Sequence, residues 1–480
     1  MQTQLKDKGF GNVEEQMSTR PIAARRRRFK LVDFAFLCTS FAIASWCLLT
    51  GGVLGTFLPA NHLMSACIIG VCMGTLIACF SVQGCTKYGL DQYVLLRAPF
   101  GINGVRFPVF ITIIVGLGWN TIILIMLASG CVTIVDAIHP LDEATKPILL
   151  RVFGFLGVLI TFLVSQTGPL GMKILTRITT PLLLFIMLVM FYMLFTKVGL
   201  EKIFSTAPGD AWLEPKLSYF IGVELLFGLA MGWWPFLGAL GRLANNNRAY
   251  YWGFWIGNGV IFGLMAIVGG VSGLIFNTFN PPDWMIPLGG FFLGLICLGF
   301  LALANISSTV IQVYPCAMAS KQFGSLSSRS WKFLLFLCCI PMGLVVTLVP
   351  ELYYEHCPSI LAFCATFFAP MCGICIADLV FLRRKKVDVK ALYDTSQRGK
   401  FFYWKGVNWI AILTSVSGFM FYLWFLNPIT LEFGETSPFP ILLNATVPTI
   451  AFTCLLYTIL TKLVTMPAGK GGFTEDSNAS

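Results

Sequence analysis

Deep inside the apolar stretches of this 480-residue chain lie a few side chains that such stretches seldom carry. Trp119 follows Gly116-Leu117-Gly118 and precedes Asn120-Thr121, while Trp233 and Trp234 stand between Gly232 and Pro235. A third stretch reads Asn305-Ile306-Ser307-Ser308-Thr309, then Gln312. Indole faces stack on flat rings, and carboxamides offer adjacent donors and acceptors, so the set suits the lactam or amidine edge of a heterocycle. In a helix, Asn305, Ser308, Thr309 and Gln312 share one face. The plainer use of such groups is to bond a preceding carbonyl or glue helices together. That use fits Ser307–Thr309 better than Asn305 and Gln312, whose amides cost more to bury unpaired. The candidate substrate-binding residues are therefore Trp119, Asn120, Trp233, Trp234, Asn305, Thr309 and Gln312. No Arg or Lys stands among them to meet a carboxylate or phosphate, which leaves a small, neutral, planar ligand.

A second group has the chemistry of ion coupling. Glu224 lies among Val223, Leu225, Leu226 and Phe227. An acid at that depth is a functional candidate by default, here for carrying a proton, and its plainer use is a hydrogen bond to a neighbouring helix. Thr50 and Gly51 belong to a Thr50-Gly51-Gly52 segment expected to interrupt a helix, and Ser307 and Ser308 offer hydroxyls for sodium. The other deep acid, Asp378, is close enough to Arg383 for a snorkelling ion pair. The three His residues (His62, His139 and His356) fall in loops, and no His, Cys and carboxylate cluster has metal-ligand spacing. There is no Walker-type loop either. The expectation is a protein that is not an enzyme, with no metal or cofactor beyond coupled H+ or Na+.

These groups need helices that span lipid. Charged residues are 11% of the chain, apolar residues 56%, and mean hydropathy is +0.79. A soluble domain carries about a quarter charged residues. About twelve stretches reach the roughly 20 residues required to cross a bilayer: about 33–59, 62–84, 107–136, 148–166, 174–196, 217–238, 250–276, 287–320, 331–350, 357–382, 406–426 and 438–463. With the Arg25–Arg28 run placed in the cytoplasm, all of the 33 Lys and Arg except Lys146, Arg151, Lys197, Lys202 and Lys216 fall on the cytoplasmic side. Hydropathy alone set the spans, so this charge bias is an independent check. It also accounts for the net charge of +11 without a nucleic-acid partner; the partners are lipid bilayer and a small molecule. The expected location is the cell membrane, multi-pass, with a cytoplasmic N-terminal tail (1–30), a transmembrane domain (31–465) and a disordered, Gly-rich cytoplasmic C-terminal tail (466–480). The 16 Cys lie mostly in spans, where they serve as small packing residues, and Cys357 near the outer face has no evident partner. Gly269-Gly270-Val271-Ser272-Gly273 in span seven signals close helix packing.

Thr50-Gly51-Gly52 in span one and Gly232–Pro235 in span six are potential breaks in the first helices of two five-helix halves. Backbone freed at mid-membrane must be satisfied by protein, water or ligand, and matched breaks point to a transporter's midplane site. Two further motifs follow: Pro370-Met-Cys-Gly373 with Ala377-Asp378, Arg383-Arg384 and Leu392-Tyr393, then Gly406-Val-Asn408-Trp409. With Trp233-Trp234-Pro235 ahead of Arg242, the Gly-Trp of span three and the Asn of span eight, the chain resembles the nucleobase–cation symporter family of cytosine, uracil, allantoin and hydantoin permeases. The resemblance runs from about residue 30 to 460. It implies an all-α, LeuT-like fold, with inverted repeats at about 33–196 and 217–382 and two extra helices at about 406–463. It also implies a substrate stacked on Trp119 and a span-six Trp, with Asn305 or a neighbour reading the ring edge.

The sequence departs from the family at Ala239-Leu240, where the family has Asp-Tyr. It departs again at Leu303-Ala304, where sodium-coupled members carry hydroxyls, and this second departure favours a proton over sodium. The reading is a secondary active importer of a nucleobase or related heterocycle, cytosine or purine first, coupled to a cation. The alternatives are a carrier of allantoin, hydantoin or a thiamine-precursor pyrimidine, or an amino-acid or amine transporter on the same fold.

Overall fold

Twenty apolar residues in lipid leave backbone N–H and C=O groups no partner but one another, and the helix is the local solution. The computed structural model describes residues 17–27, 29–209, 215–430 and 444–473, apart from the side chains of 215 and 357–362. Asp210, Glu214, Glu432 and Glu435, acidic residues of expected outer loops, lie outside the described residues, as does the side chain of Cys357. Among the described residues, ten helices are long and apolar enough to cross a bilayer, and the bent pair Leu31–Ala42 and Ser45–Phe57 makes an eleventh. The expected span eleven, Trp409–Phe425, is apolar but only 17 residues long. Among the described residues there is no β-structure beyond isolated bridges.

The packing has the exchange symmetry expected of two five-helix halves. Span one packs along span seven (Asn247–Phe276), and span two (Ala60–Ser81) packs along span six (Pro215–Met231 with Trp234–Gly241). Span three (Arg106–Ile138) lies against span eight (Phe291–Ser320), and span four (Thr145–Ser165) joins span three to span nine (Trp331–Leu348). Spans ten, eleven and twelve pack on one another, and span twelve begins at Thr446.

Span one breaks, but not at its glycines. The helix stops at Ala42 and restarts at Ser45, turning by 55° through Ile43 and Ala44. Asn305 of span eight makes this possible. Its Oδ1 accepts from the Ser45 amide at 3.0 Å, and its Nδ2 donates to Ser45 Oγ at 2.8 Å, so it caps the second half of the span from another helix. Thr50, Gly51 and Gly52 lie inside that second half. A Cβ on Gly51 would run into the Ala266 carbonyl of span seven, and one on Gly55 into the Gly270 carbonyl. These glycines exist for close helix contact, as do Gly269 and Gly273 on the facing helix. Span six breaks where expected, at Gly232-Trp233.

The first and last described segments are tied to the basic face. The Arg242 guanidinium donates to the carbonyls of Ser18 at 3.0 Å and Arg20 at 3.2 Å. Tyr393 OH donates to Thr19 O at 2.6 Å, and the Ile22 amide to Gly89 O at 2.9 Å. The segment from Met466 to Phe473 is likewise held, against the expectation of disorder. Arg383 donates to the Gly471 carbonyl at 2.9 Å, and its guanidinium lies over the rings of Phe401 and Phe473. The same Arg383 pairs with Asp378 at 2.8 Å, buried rather than snorkelling. At the opposite face, Arg151 makes a two-pronged ion pair with Glu351, at 2.8 and 3.0 Å. Short helix Pro281–Gly289, expected in part to be the start of span eight, is set off from it at Gly290, whose φ of 75° suits glycine alone.

Candidate substrate site

The two breaks bring aromatic rings together. Trp233, at the break of span six, is 2% exposed, and Trp119 of span three is 5% exposed. Both border a cavity of about 10 Å³ whose wall also includes Gly116, Leu229, Phe236 and Cys364. That volume is the room of one water molecule, so the rings are closed on one another.

Two more rings, from span one, complete the cluster. Trp46 sits in the first turn after the break, edge-on to Trp119 at 5.7 Å and tilted against Trp233 at 5.7 Å. Its indole N–H donates to the Phe41 carbonyl at 3.1 Å, spanning the gap between the half-helices. Phe41 stacks on Trp233, with ring centroids 3.8 Å apart and planes within 17°. Sequence reasoning missed Phe41 and Trp46. The signal was available for Trp46: it is a tryptophan far from either end of its span, the same criterion that singled out Trp119.

Trp234 does not belong to this cluster. Its neighbour Trp233 faces the cavity, whereas Trp234 is turned about 100° round the helix. There it donates to Ser81 Oγ at 2.8 Å and stacks on Phe368 at 5.9 Å. Pro235 cannot donate a backbone hydrogen bond, and side chains from the segment joining spans two and three repair the strand of helix that follows. The Gln92 carboxamide stands between the Trp234 carbonyl and the Gly238 amide, at 2.9 and 2.7 Å, and Tyr93 OH donates to Pro235 O at 2.9 Å. These two residues carried no sequence signal.

The polar face of span eight divides among several neighbours. Asn305 caps span one, and Thr309 turns to span four, meeting Thr161 Oγ1 at 3.0 Å. Ser307 turns to Ser40 of span one. Gln312 donates to Ser308 Oγ at 2.9 Å, and its own Oε1 is buried without a hydrogen-bond partner. Asn120 is similar: Nδ2 donates to Gly116 O at 2.9 Å, and Oδ1 has no hydrogen-bond partner. A Cβ on Gly116 would touch Cys316. Spans three and eight run antiparallel, so Asn120 and Gln312, one turn beyond those residues, stand level. Neither residue lines the cavity, but each leaves a buried carboxamide oxygen without a hydrogen-bond donor.

Glu224 lies elsewhere. It accepts from Tyr422 OH at 2.8 Å, Thr446 Oγ1 at 2.6 Å, and the amides of Ala445 at 3.0 Å and Thr446 at 3.2 Å. All four partners can donate, which suits an acceptor-only carboxylate, and two of them are amides at the start of span twelve. The acid caps that helix and pins it to span six. Thr50 Oγ1 is used within its own helix, donating to Trp46 O at 2.7 Å. Among the described residues, no group of three His, Cys, Asp or Glu is placed to hold a metal ion.

Comparison with known proteins gives the family and the fold. Residues 21–440 match the family described as permease for cytosine/purines, uracil, thiamine, allantoin. A hydantoin permease of Microbacterium maritypicum is 22% identical over 428 residues, covering 82% of this chain and 81% of its own. The cytosine permease of Escherichia coli K12 is 22% identical over 407 residues, covering 83% and 86%. The structure of Mhp1, a nucleobase–cation symport transporter in a closed conformation with bromovinylhydantoin bound, superimposes with a TM-score of 0.74 at 17% identity. It covers 94% of this chain and 96% of the other.

Proposed function

The chain belongs to the family of permeases for cytosine/purines, uracil, thiamine and allantoin, and from that premise we propose that it imports a nucleobase or related planar heterocycle together with a cation. The observation that carries this reading is the indole-walled cavity where two interrupted helices meet. Trp119 and Trp233 would grip the faces of a flat ring. Asn120 Oδ1 and Gln312 Oε1, both acceptors without donors, would take N–H groups from its edge. No charged side chain lines the cavity, which counts against an amino acid or amine.

Transport would follow from alternating access, with the broken spans rocking against spans three, four, eight and nine. The basic face is assigned to the cytoplasm by its Lys and Arg excess, with both termini there. In the present conformation the N-terminal segment crosses that face while the aromatic cluster is shut, an occluded arrangement.

The test is uptake of labelled uracil, cytosine, hydantoin and allantoin into proteoliposomes, under an imposed sodium gradient, a pH gradient, or neither. The reading expects gradient-dependent accumulation of at least one of them. Accumulation of none, with uptake of a charged amino acid instead, would overturn it.

A further inference from the structure

Spans three, ten (Phe363–Leu382) and eleven leave a groove on the lipid side of the protein. Among the described residues, span ten packs against both neighbours, but spans three and eleven do not pack along one another. The space between them has a volume of about 360 Å³, against about 10 Å³ for the indole cavity. Phe110 and Ile114 of span three, Phe367 and Met371 of span ten, and Val416 and Phe419 of span eleven wall it. Phe110 is 59% exposed and Val416 44%, so the groove opens sideways, where a transmembrane helix meets hydrocarbon rather than water.

Its depth matches one leaflet. The lining begins at Phe107, the second residue of span three, and reaches Val115, about 12 Å further at 1.5 Å per residue. That is close to half of a hydrocarbon core about 30 Å thick. The groove therefore runs from the basic face to the middle of the bilayer. Its apolar walls give water no partners, and the surrounding material of matching shape is an acyl chain.

The mouth is basic. Arg106 opens span three, four residues before Phe110 and on the same face. Lys405 lies in the turn before span eleven, and that turn is held against the start of span three. The Asn103 and Gly104 amides donate to Gly406 O at 2.8 and 3.1 Å, and Asn103 Nδ2 donates to Lys405 O at 3.2 Å. Both basic residues are exposed, and among the described residues neither forms an ion pair. Trp409, which begins span eleven, is also exposed, at the headgroup level where tryptophan anchors.

We propose that this groove holds one acyl chain of an anionic phospholipid from the leaflet on the basic face, with the lipid phosphate beside Arg106 and Lys405. A zwitterionic lipid fills the walls but brings its own cation to the mouth. A soluble anion answers the charges and leaves the apolar walls unfilled. Val115 borders both the groove and the indole cavity, and Cys364 of the cavity precedes Phe367 of the groove by about one turn of span ten. The bound chain thus backs the wall of the substrate site.

The test uses purified full-length protein in a neutral detergent. It is titrated with dioleoyl phosphatidylglycerol, with dioleoyl phosphatidylcholine, or with glycerol 3-phosphate, which carries a phosphate and no chains. Thermal unfolding is the readout, and native mass spectrometry counts retained lipid. The proposal expects a saturable rise in midpoint and one retained phosphatidylglycerol. It expects phosphatidylcholine to half-saturate at a concentration at least about tenfold higher, and glycerol 3-phosphate to have no effect. Val416→Trp fills the groove from a lipid-facing position and should raise the half-saturating phosphatidylglycerol concentration at least about tenfold. Arg106→Gln and Lys405→Gln should each raise it about fivefold. Leu188→Trp, exposed on span five (Gly168–Val198), should match wild type. Equal responses to the two phospholipids, or a Val416→Trp variant with the wild-type half-saturation, would overturn the proposal. No transported heterocycle enters the assay, so failure here leaves the transport reading standing.

Discussion

Replacing Trp119 by alanine separates a residue that touches substrate from one that only packs. Trp119 borders the cavity, and the face it offers a ring covers on the order of 60 Å², about 1.5 kcal/mol at 25 cal/mol per Å². The offset stack adds about 0.5–1.5 kcal/mol. The sum, about 2–3 kcal/mol, weakens binding by about 30- to 150-fold. Trp234→Ala is the control. Trp234 is fully buried against Phe368 and Ser81 and lies off the cavity. Its removal leaves a packing void, while Ser81 Oγ keeps its bond to the Ala78 carbonyl, at about 3–5 kcal/mol of stability. The assay is equilibrium binding of whichever labelled heterocycle the wild type takes up, beside thermal unfolding of each variant. Trp119→Ala should lose affinity in the folded protein, on top of a stability cost for a buried ring; Trp234→Ala should lose stability while its folded fraction keeps wild-type affinity. A Trp119→Ala variant that binds within twofold of wild type, or a Trp234→Ala variant with the same affinity loss, would refute the division of roles.

Further expectations concern helix contacts. Glu224→Gln keeps acceptor and donor groups that the Tyr422 and Thr446 hydroxyls can turn to meet, so uptake should keep its wild-type pH profile; a profile flattened by this change would restore the acid as a proton carrier. Glu224→Ala strands the Ala445 and Thr446 amides and should cost about 1–3 kcal/mol for each buried group in thermal unfolding. Gly51→Ala forces a methyl into the Ala266 carbonyl and should sharply lower the yield of folded protein, whereas Gly130→Ala, with open space around it, should be neutral; equal yields on size-exclusion chromatography would refute the packing role. Gln92→Leu leaves the Trp234 carbonyl and the Gly238 amide unmatched and should lower the unfolding midpoint, and an unchanged midpoint would show that water replaces the carboxamide.

The order of the spans was legible because hydropathy and basic residues are properties of local sequence. The break at Gly232–Pro235 was legible for the same reason: a proline removes a donor wherever it stands. The break in span one was not. Ile43 and Ala44 carry no breaking signal, and the helix ends there because Asn305, some 260 residues away, supplies the cap. Glycines at 51 and 52 were read as a break, and only the facing span seven and the Phe279 backbone just beyond it show that they serve close contact. Glu224 shows the same limit, since the donors that make it a helix cap lie about 200 residues later. Trp233 and Trp234, adjacent in sequence, point to different neighbours because successive helical positions differ by about 100°. The shared face of Asn305, Ser308, Thr309 and Gln312 was real, but an arc that wide meets spans one and four as well as the substrate side.

An experimental structure of the protein with its transported heterocycle bound tests the central claim most directly. The ligand ring should lie between Trp119 and Trp233, with centroids within about 7 Å of both indoles, and with Asn120 or Gln312 at its N–H edge. A ligand bound away from both indoles, or spans one and six running unbroken past it, would contradict the account.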